Sequence, residues 1–184
     1  MRKIAAILII FTISFFTSGF SFTASNIVKV KAKPTEAIEN SENPITNSYI
    51  DLDKLPEDYS YELAIKNGDV VNFFHKNYNV EKFIEFMAAF ESKKLNPGDM
   101  IRITFYTVEG DAIISDLIFT EDGIKLVRDN TRDKYASQAN RKRTTYNVVD
   151  IRTIKAEDRT FYRAITDTGE EIPIFAFKND YLEH

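Results

Sequence analysis

The sequence predicts an α+β domain in which two N-terminal helices pack on one face of an antiparallel sheet of about five to six strands. Two observations favour this class. Up to residue 96, apolar residues recur at steps of three and four, as on one side of a helix. From Met100 onward they alternate with polar residues, as in a strand. Because the helical patterns precede a run of strand patterns, we expect helices and strands to form separate layers.

The first helix is predicted to begin near Asp58 and to stop at Gly68, which tolerates the left-handed conformation of a helix end. Residues 69–74 then form a short strand or an extended link. Asn79 is the expected cap of a second helix, which ends at Asn96-Pro97-Gly98. Its apolar stripe contains Val80, Phe83, Ile84, Met87 and Phe90.

Alternation in residues 100–106 predicts the first long strand, with Ile101, Ile103 and Phe105 on one face. The chain turns at residues 109–111 into a second strand, whose inward face contains Ile113, Leu117 and Phe119. It turns again at 121–123, where Asp-Gly suits a hairpin, into a third strand at residues 124–127. A polar loop follows from Asp129 to Arg143. Three more strands are predicted at Thr144–Lys155, Thr160–Thr166 and Glu171–Phe177.

The N-terminus has the layout of a secretory signal. Basic Met1-Arg2-Lys3 precedes the charge-free run Ile4–Phe16, and Thr23-Ala24-Ser25 fits a cleavage site. We therefore divide the chain into a signal (1–25), a polar tether (26–50), one α+β domain (51–178) and a tail (179–184). The domain is expected outside the cytoplasm, secreted or associated with the cell envelope.

Two other interpretations of the N-terminus stay open. The charge-free stretch of residues 4–28 is long enough to cross a bilayer as an uncleaved anchor, although its second half is rich in Ser and Thr. An ordinary buried helix is the other alternative, and it would need a core around all its sides.

Composition narrows the function classes. The 184 residues contain no Cys, which excludes disulfides, thiolate catalysis and Cys-ligated zinc. A formal net charge of −4 argues against specific nucleic-acid binding. No glycine-rich phosphate loop, nucleophile elbow or calcium loop occurs, so we predict no catalytic residue, no metal site and no cofactor.

Several segments resemble one family. They are the strand pair 102–116 (RITFYTVEGDAIISD), residues 67–71, the helix at 79–90 and residues 129–133. Together they resemble the uncharacterised domain-of-unknown-function family 4362 of exported Bacillus-like Firmicutes proteins, over roughly residues 58–178. The resemblance implies export and carries no known activity. The chain departs from the lipoprotein-type start of many members because it lacks the lipid-bearing Cys.

The polar loop is the predicted binding surface, because long loops between strands often carry function. It concentrates cations that could bind an anionic envelope polymer, or another protein. The predicted binding residues are Arg128, Arg132, Lys134, Arg141, Lys142 and Arg143.

The function that follows is an exported cell-envelope protein of unknown activity, most simply a non-enzymatic binding or interaction domain. The alternative is a small extracytoplasmic hydrolase that uses carboxylates such as Glu109 and Asp111, together with His75. A concave site that joins these groups would favour the enzyme, whereas clustered Arg and Lys on a flat surface would favour binding.

Overall fold

The computed structural model of the protein describes residues 49–182, so the predicted signal and nearly all of the tether lie outside the described residues. This part contains two α-helices, α1 and α2, and eight strands, β1 to β8. The helices are α1 (Tyr61–Lys66) and α2 (Val80–Glu91). The strands are β1 (Val70–Phe73), β2 (Lys76–Tyr78), β3 (Met100–Tyr106), β4 (Ala112–Thr120), β5 (Gly123–Asp129), β6 (Arg143–Lys155), β7 (Arg159–Thr166) and β8 (Glu171–Lys178). Short 3-10 helices occupy Leu52–Lys54 and Asn179–Leu182.

All eight strands form one sheet in the order β2-β1-β3-β4-β5-β6-β7-β8. Every neighbouring pair is antiparallel except β1 and β3, which run parallel. The predicted antiparallel sheet of five to six strands is therefore wrong, and the sheet is larger and mixed. The period-two pattern located strands from β3 onward. It could not show that β1 and the three-residue β2 also join the sheet, because such short segments contain too few residues to display a period.

The sheet curls until its two edge strands nearly meet, giving a barrel-like shape. The Asn77 side chain of β2 donates a hydrogen bond to the Ala176 carbonyl of β8 at 3.3 Å. Across the interior, the rings of Phe105 and Phe175 lie 6.3 Å apart between centroids. Strong twist is the expected behaviour of a sheet of this size, because each strand is rotated relative to its neighbour.

The two helices pack on opposite faces of β1, which corrects the prediction that they share one face. Val70 belongs to the core cluster that α2 covers, and the adjacent Val71 belongs to the cluster that α1 covers. Successive side chains of a strand point to opposite faces, so the two clusters lie on the two sides of the sheet. The apolar stripe of each helix shows that it has a buried side, but it does not say which face of the sheet that side covers.

The inner cluster contains most of the large buried residues. Phe83 of α2 is fully buried and packs against Tyr162, Phe175 and Phe177 of the last two strands. Gly68 ends the region of α1 with a φ of 86°, as predicted, but Ser60 rather than Asp58 caps that helix. Within residues 49–182, no helix has the length and apolar character needed to cross a membrane.

Candidate functional site

The turn between β1 and β2 is the one place in the described backbone where two consecutive non-glycine residues have positive φ. Phe73 pairs with Lys76, so only Phe74 and His75 form the turn. Both have positive φ, 49° and 77°. Two-residue hairpin turns of this kind strongly prefer Asn and Gly, because a side chain with a Cβ crowds the backbone there. A strained pair of bulky residues at such a position is a reason to look for function.

Aromatic rings extend from this turn over the outer face of β1. Phe73 stacks on Tyr61 of α1 with centroids 4.1 Å apart, and Phe74 packs edge-on against Phe73 at 4.5 Å. Tyr106 of β3 also approaches Phe73 edge-on, at 5.8 Å. Phe74 remains 53% exposed. We call Tyr61, Phe73, Phe74 and Tyr106 the aromatic platform; it is only partly covered by protein.

A cleft of about 430 Å³ lies where the hairpin meets the C-terminal end of β8. Tyr181 helps to close it by donating a hydrogen bond to the Asn77 carbonyl at 3.3 Å. The side chains that line it are amphipathic or polar: His75, Lys76, Asn77, Tyr78, Lys178, Asp180 and Tyr181. Lys76 and Lys178 have no carboxylate partner within ion-pair distance among residues 49–182. We call this the hairpin cleft. It carries more positive than negative charge.

The residues of the predicted hydrolase alternative do not converge. His75 lines the hairpin cleft, whereas Glu109 and Asp111 line a different depression beside Tyr59 and Lys134. Asp111 accepts a hydrogen bond from the Lys134 backbone N–H at 2.8 Å, which is a structural contact. The described residues therefore offer no cleft in which His75 acts together with these two carboxylates.

Arg132, one of the predicted binding residues, is buried, and its guanidinium is already hydrogen-bonded within the protein. It donates to the carbonyls of Leu52, Leu55 and Pro56 at 2.8–3.1 Å, and to the Asp129 carboxylate at 3.1 Å. These contacts hold residues 49–59, which we call the strap, against the sheet. Burial would raise the pKa of Asp129. The hydrogen bonds from Thr131 and Arg143 and the charge of Arg132 instead hold that pKa below its ordinary value.

The other loop cations differ in their surroundings. Lys134 pairs with Asp58 of the strap, and Arg143 pairs with Asp53 of the strap and with Asp129. Arg141 is exposed and donates to the Thr131 carbonyl at 3.3 Å, and Lys142 is exposed as well. The structure thus disperses the six predicted residues. Binding of an anionic polymer by the loop stays a prediction and depends on its exposed members.

Arg128 stands apart from the loop, on β5. It donates through Nε to the Ser115 hydroxyl at 3.3 Å, and through Nη2 to the Pro173 carbonyl of β8 at 2.6 Å. Partial burial lowers the pKa of Arg128. Electrostatic interaction with Tyr146 and Glu170 partly opposes that decrease.

Sequence reasoning missed a buried polar cluster beneath the strap. Arg102 forms an ion pair with Asp116 and donates to the Ile50 carbonyl at 2.8 Å, and the Tyr49 ring lies 5.2 Å from its guanidinium carbon. Nearby, Asp69 accepts hydrogen bonds from Tyr59 at 3.0 Å and Thr104 at 2.7 Å. The signal was present in the sequence, because counting back from the hairpin turn at 107–111 places Arg102 opposite Asp116.

The second oxygen of Asp69, Oδ1, is buried without a hydrogen-bond partner in the described residues. Burial raises the pKa of this carboxyl from 3.8 to about 6, although Thr104, Arg102 and Tyr59 favour the charged form. The cluster anchors the strap. Arg102 and Asp116 also line a depression of about 310 Å³ beside Tyr49, but their side chains are only 3% and 5% exposed.

Comparison with known protein families shows to which family the chain belongs. A family model described as a domain of unknown function (DUF4362) matches residues 67–163. The chain belongs to the DUF4362 family. The matched segment runs from the end of α1 through most of β7, so the strained turn, the Arg102–Asp116 pair and Arg128 all lie within the family domain. Neither curated proteins nor solved structures gave a significant match.

Proposed function

We propose that this DUF4362 protein is exported and acts as a non-enzymatic binding domain at the cell envelope. The N-terminal pattern of basic, apolar and small residues supports export. The separation of His75 from Glu109 and Asp111 favours binding over hydrolysis. The envelope is also where a tethered domain would meet its ligand.

The observation that carries the binding function is the strained turn at Phe74 and His75. Left-handed backbone at a non-glycine residue costs about 1–3 kcal/mol and persists where the surrounding structure enforces it. Here the left-handed conformation of Phe74 and His75 places the half-exposed phenyl ring of Phe74 beside the hairpin cleft. An Asn-Gly turn would close the same hairpin with less strain, so the bulky residues are better explained by what they contact.

The chemistry of this surface suits an anionic wall polymer. Aromatic rings and amide groups pack against and hydrogen-bond the sugar or polyol units of such a polymer. Lys76 and Lys178, opposed by the single carboxylate of Asp180 within the cleft, supply attraction for its charged groups. We therefore assign the aromatic platform and the hairpin cleft as the binding surface, with the exposed Arg141 and Lys142 of the loop as a secondary contact.

Co-sedimentation with purified wall sacculi of the source organism tests this function. We expect the domain to sediment with intact sacculi, and to stay in solution once the anionic polymers have been extracted. Phe74→Ser should weaken sedimentation about tenfold. Val108→Ser is the matched control, because Val108 is an 82% exposed apolar residue in a different hairpin turn. Equal sedimentation of the two variants, or none by the wild type, would contradict the proposal.

Export is tested separately by cell fractionation followed by N-terminal sequencing. A mature start near Asn26 in the medium or wall fraction is the expected result. An intact N-terminus in the membrane fraction would instead support the uncleaved anchor of residues 4–28. Recovery of the intact chain from the cytoplasm would overturn the export proposal while leaving the wall-binding test independent.

A further inference from the structure

Arg128 lies on the inner face of the curled sheet. It pairs in register with Ser115 of β4, which in turn pairs with Ile103 of β3, a member of the inner core cluster. Directly paired residues of neighbouring strands point to the same face. Its bond to the Pro173 carbonyl then crosses from β5 to β8, strands that are not neighbours in the sheet. The guanidinium therefore extends from the inner face of β5 towards the edge strand β8, and its bond to Pro173 is open to solvent.

Arg128 has no carboxylate within ion-pair distance among residues 49–182, although the charge of Glu170 acts on it from farther away. Among the eight arginines of residues 49–182, six have a carboxylate within ion-pair distance, and Arg141 is solvent-exposed. Arg128 is the partly buried one without such a partner. Removing a cation from water without a counter-charge is unfavourable, and proteins usually pair such groups. Its two hydrogen bonds leave Nη1 without a protein acceptor in the described part of the chain, and Nη1 is not buried, so a ligand from solvent can reach it.

We propose that Arg128 forms a binding site for a small oxyanion, a phosphate or a carboxylate. The planar guanidinium matches two oxygens of either group at once. Ser115 accepts from Arg128 through its oxygen, so its own hydroxyl proton remains free to be donated. Thr144 of β6 pairs with Arg128 and adds a second hydroxyl on the same face. The site is distinct from the hairpin cleft and does not depend on the proposed wall binding.

Titration of the folded domain with sodium phosphate and with sodium acetate, at constant ionic strength against chloride, tests the site. Two readouts are used: the unfolding temperature, and the NMR resonance of the Arg128 side-chain Nε–H. We expect at least one anion to raise the unfolding temperature and to shift the Arg128 resonance with the same saturation curve. The stronger anion identifies the ligand as a phosphate or a carboxylate.

The variants make the assignment specific. Arg128→Met should weaken anion binding about tenfold or more, because it removes a charged, two-pronged donor. Arg128→Lys should bind with intermediate affinity, since it keeps the charge without the planar fork. Arg159→Met removes the same kind of side chain from a partly exposed position of β7, where the side chain is 40% exposed, and should bind as the wild type does.

The inference is overturned if neither anion changes the wild-type protein. It is also overturned if Arg128→Met retains the full response, or if the Nε–H resonance stays constant while the unfolding temperature rises. Should Arg128→Met not fold, the wild-type resonance and Arg128→Lys still decide the question.

Discussion

Arg102 and Asp116 form a two-pronged ion pair across β3 and β4. Nε lies 2.7 Å from Oδ1 and Nη2 lies 2.8 Å from Oδ2, and the two side chains are 3% and 5% exposed. The third nitrogen of the same guanidinium, Nη1, reaches the Ile50 carbonyl. Arg132 likewise donates hydrogen bonds to backbone carbonyls of residues 52–56, and Asp129 is its counter-ion. Two buried arginines, each neutralised by an aspartate, thus hold the strap on the sheet.

Arg102→Met should lower the free energy of unfolding by about 3–5 kcal/mol, because it leaves the Asp116 carboxylate buried without its counter-charge. Urea denaturation measures the loss. The double variant Arg102→Met, Asp116→Leu should recover most of it, since two apolar side chains replace the pair. A single variant within 1 kcal/mol of the wild type would show that the pair contributes little.

Arg132→Met should loosen the strap while most of the sheet stays intact. The substitution removes three hydrogen bonds to strap carbonyls and one ion pair, for a loss of about 2–4 kcal/mol. Amide exchange at residues 52–56 should accelerate more than exchange in β4. The control is Arg141→Met, which removes an exposed arginine and should change stability by less than about 0.5 kcal/mol. Uniform acceleration in both regions would contradict a local role for Arg132.

Asp69→Asn should change how stability depends on pH. The pKa of Asp69 is raised in the folded protein, from 3.8 to about 6, so the native state holds this proton more tightly than the unfolded chain does. The stabilisation from the bound proton is fully present below pH 3.8 and is lost as the pH rises to about 6. Asparagine does not titrate, so the variant lacks this loss.

We therefore expect the stability of Asp69→Asn, relative to wild type, to increase by about 2–3 kcal/mol between about pH 4 and pH 7.5. Urea denaturation at several pH values provides the measurement. The test depends on how the stability difference between the variant and the wild type changes with pH. It does not depend on which protein is the more stable at any one pH, because the Asn side chain will still have an unsatisfied buried group. A difference that is constant across this range would show that Asp69 titrates normally.

The double variant Phe74→Asn, His75→Gly should separate stability from binding. Both new residues suit positive φ, so relief of strain should stabilise the domain by about 1 kcal/mol. The same change removes the exposed ring of the aromatic platform and the histidine that lines the hairpin cleft, so sedimentation with wall sacculi should fall. A variant that is more stable yet binds as well as the wild type would remove the functional explanation for the strained turn.

The core of the domain could be predicted from local pattern alone. The stripe on residues 80–90 and the alternation in β3 place Phe83, Ile101 and Ile103 inside, and all three are fully buried. The hairpin at 121–123 and the loop after Asp129 were also located, because turn chemistry and period are properties of neighbouring residues. The resemblance to family 4362 was confirmed for the same reason, since it rests on contiguous segments.

Only the tertiary structure decided the number of strands, the closure of the sheet and the faces that the helices cover. These features depend on contacts between residues far apart in the chain, such as Asn77 with Ala176. The local period of apolar residues does not indicate such contacts. The loop cations show the same limit. The sequence determined that these residues are charged. The fold decided that Arg132 is buried against carbonyls of the strap, and that Arg128 lies on the inner face of β5 with no carboxylate within ion-pair distance in the described residues. Charge is a property of a side chain, whereas its partner is set by the strands that the fold brings together.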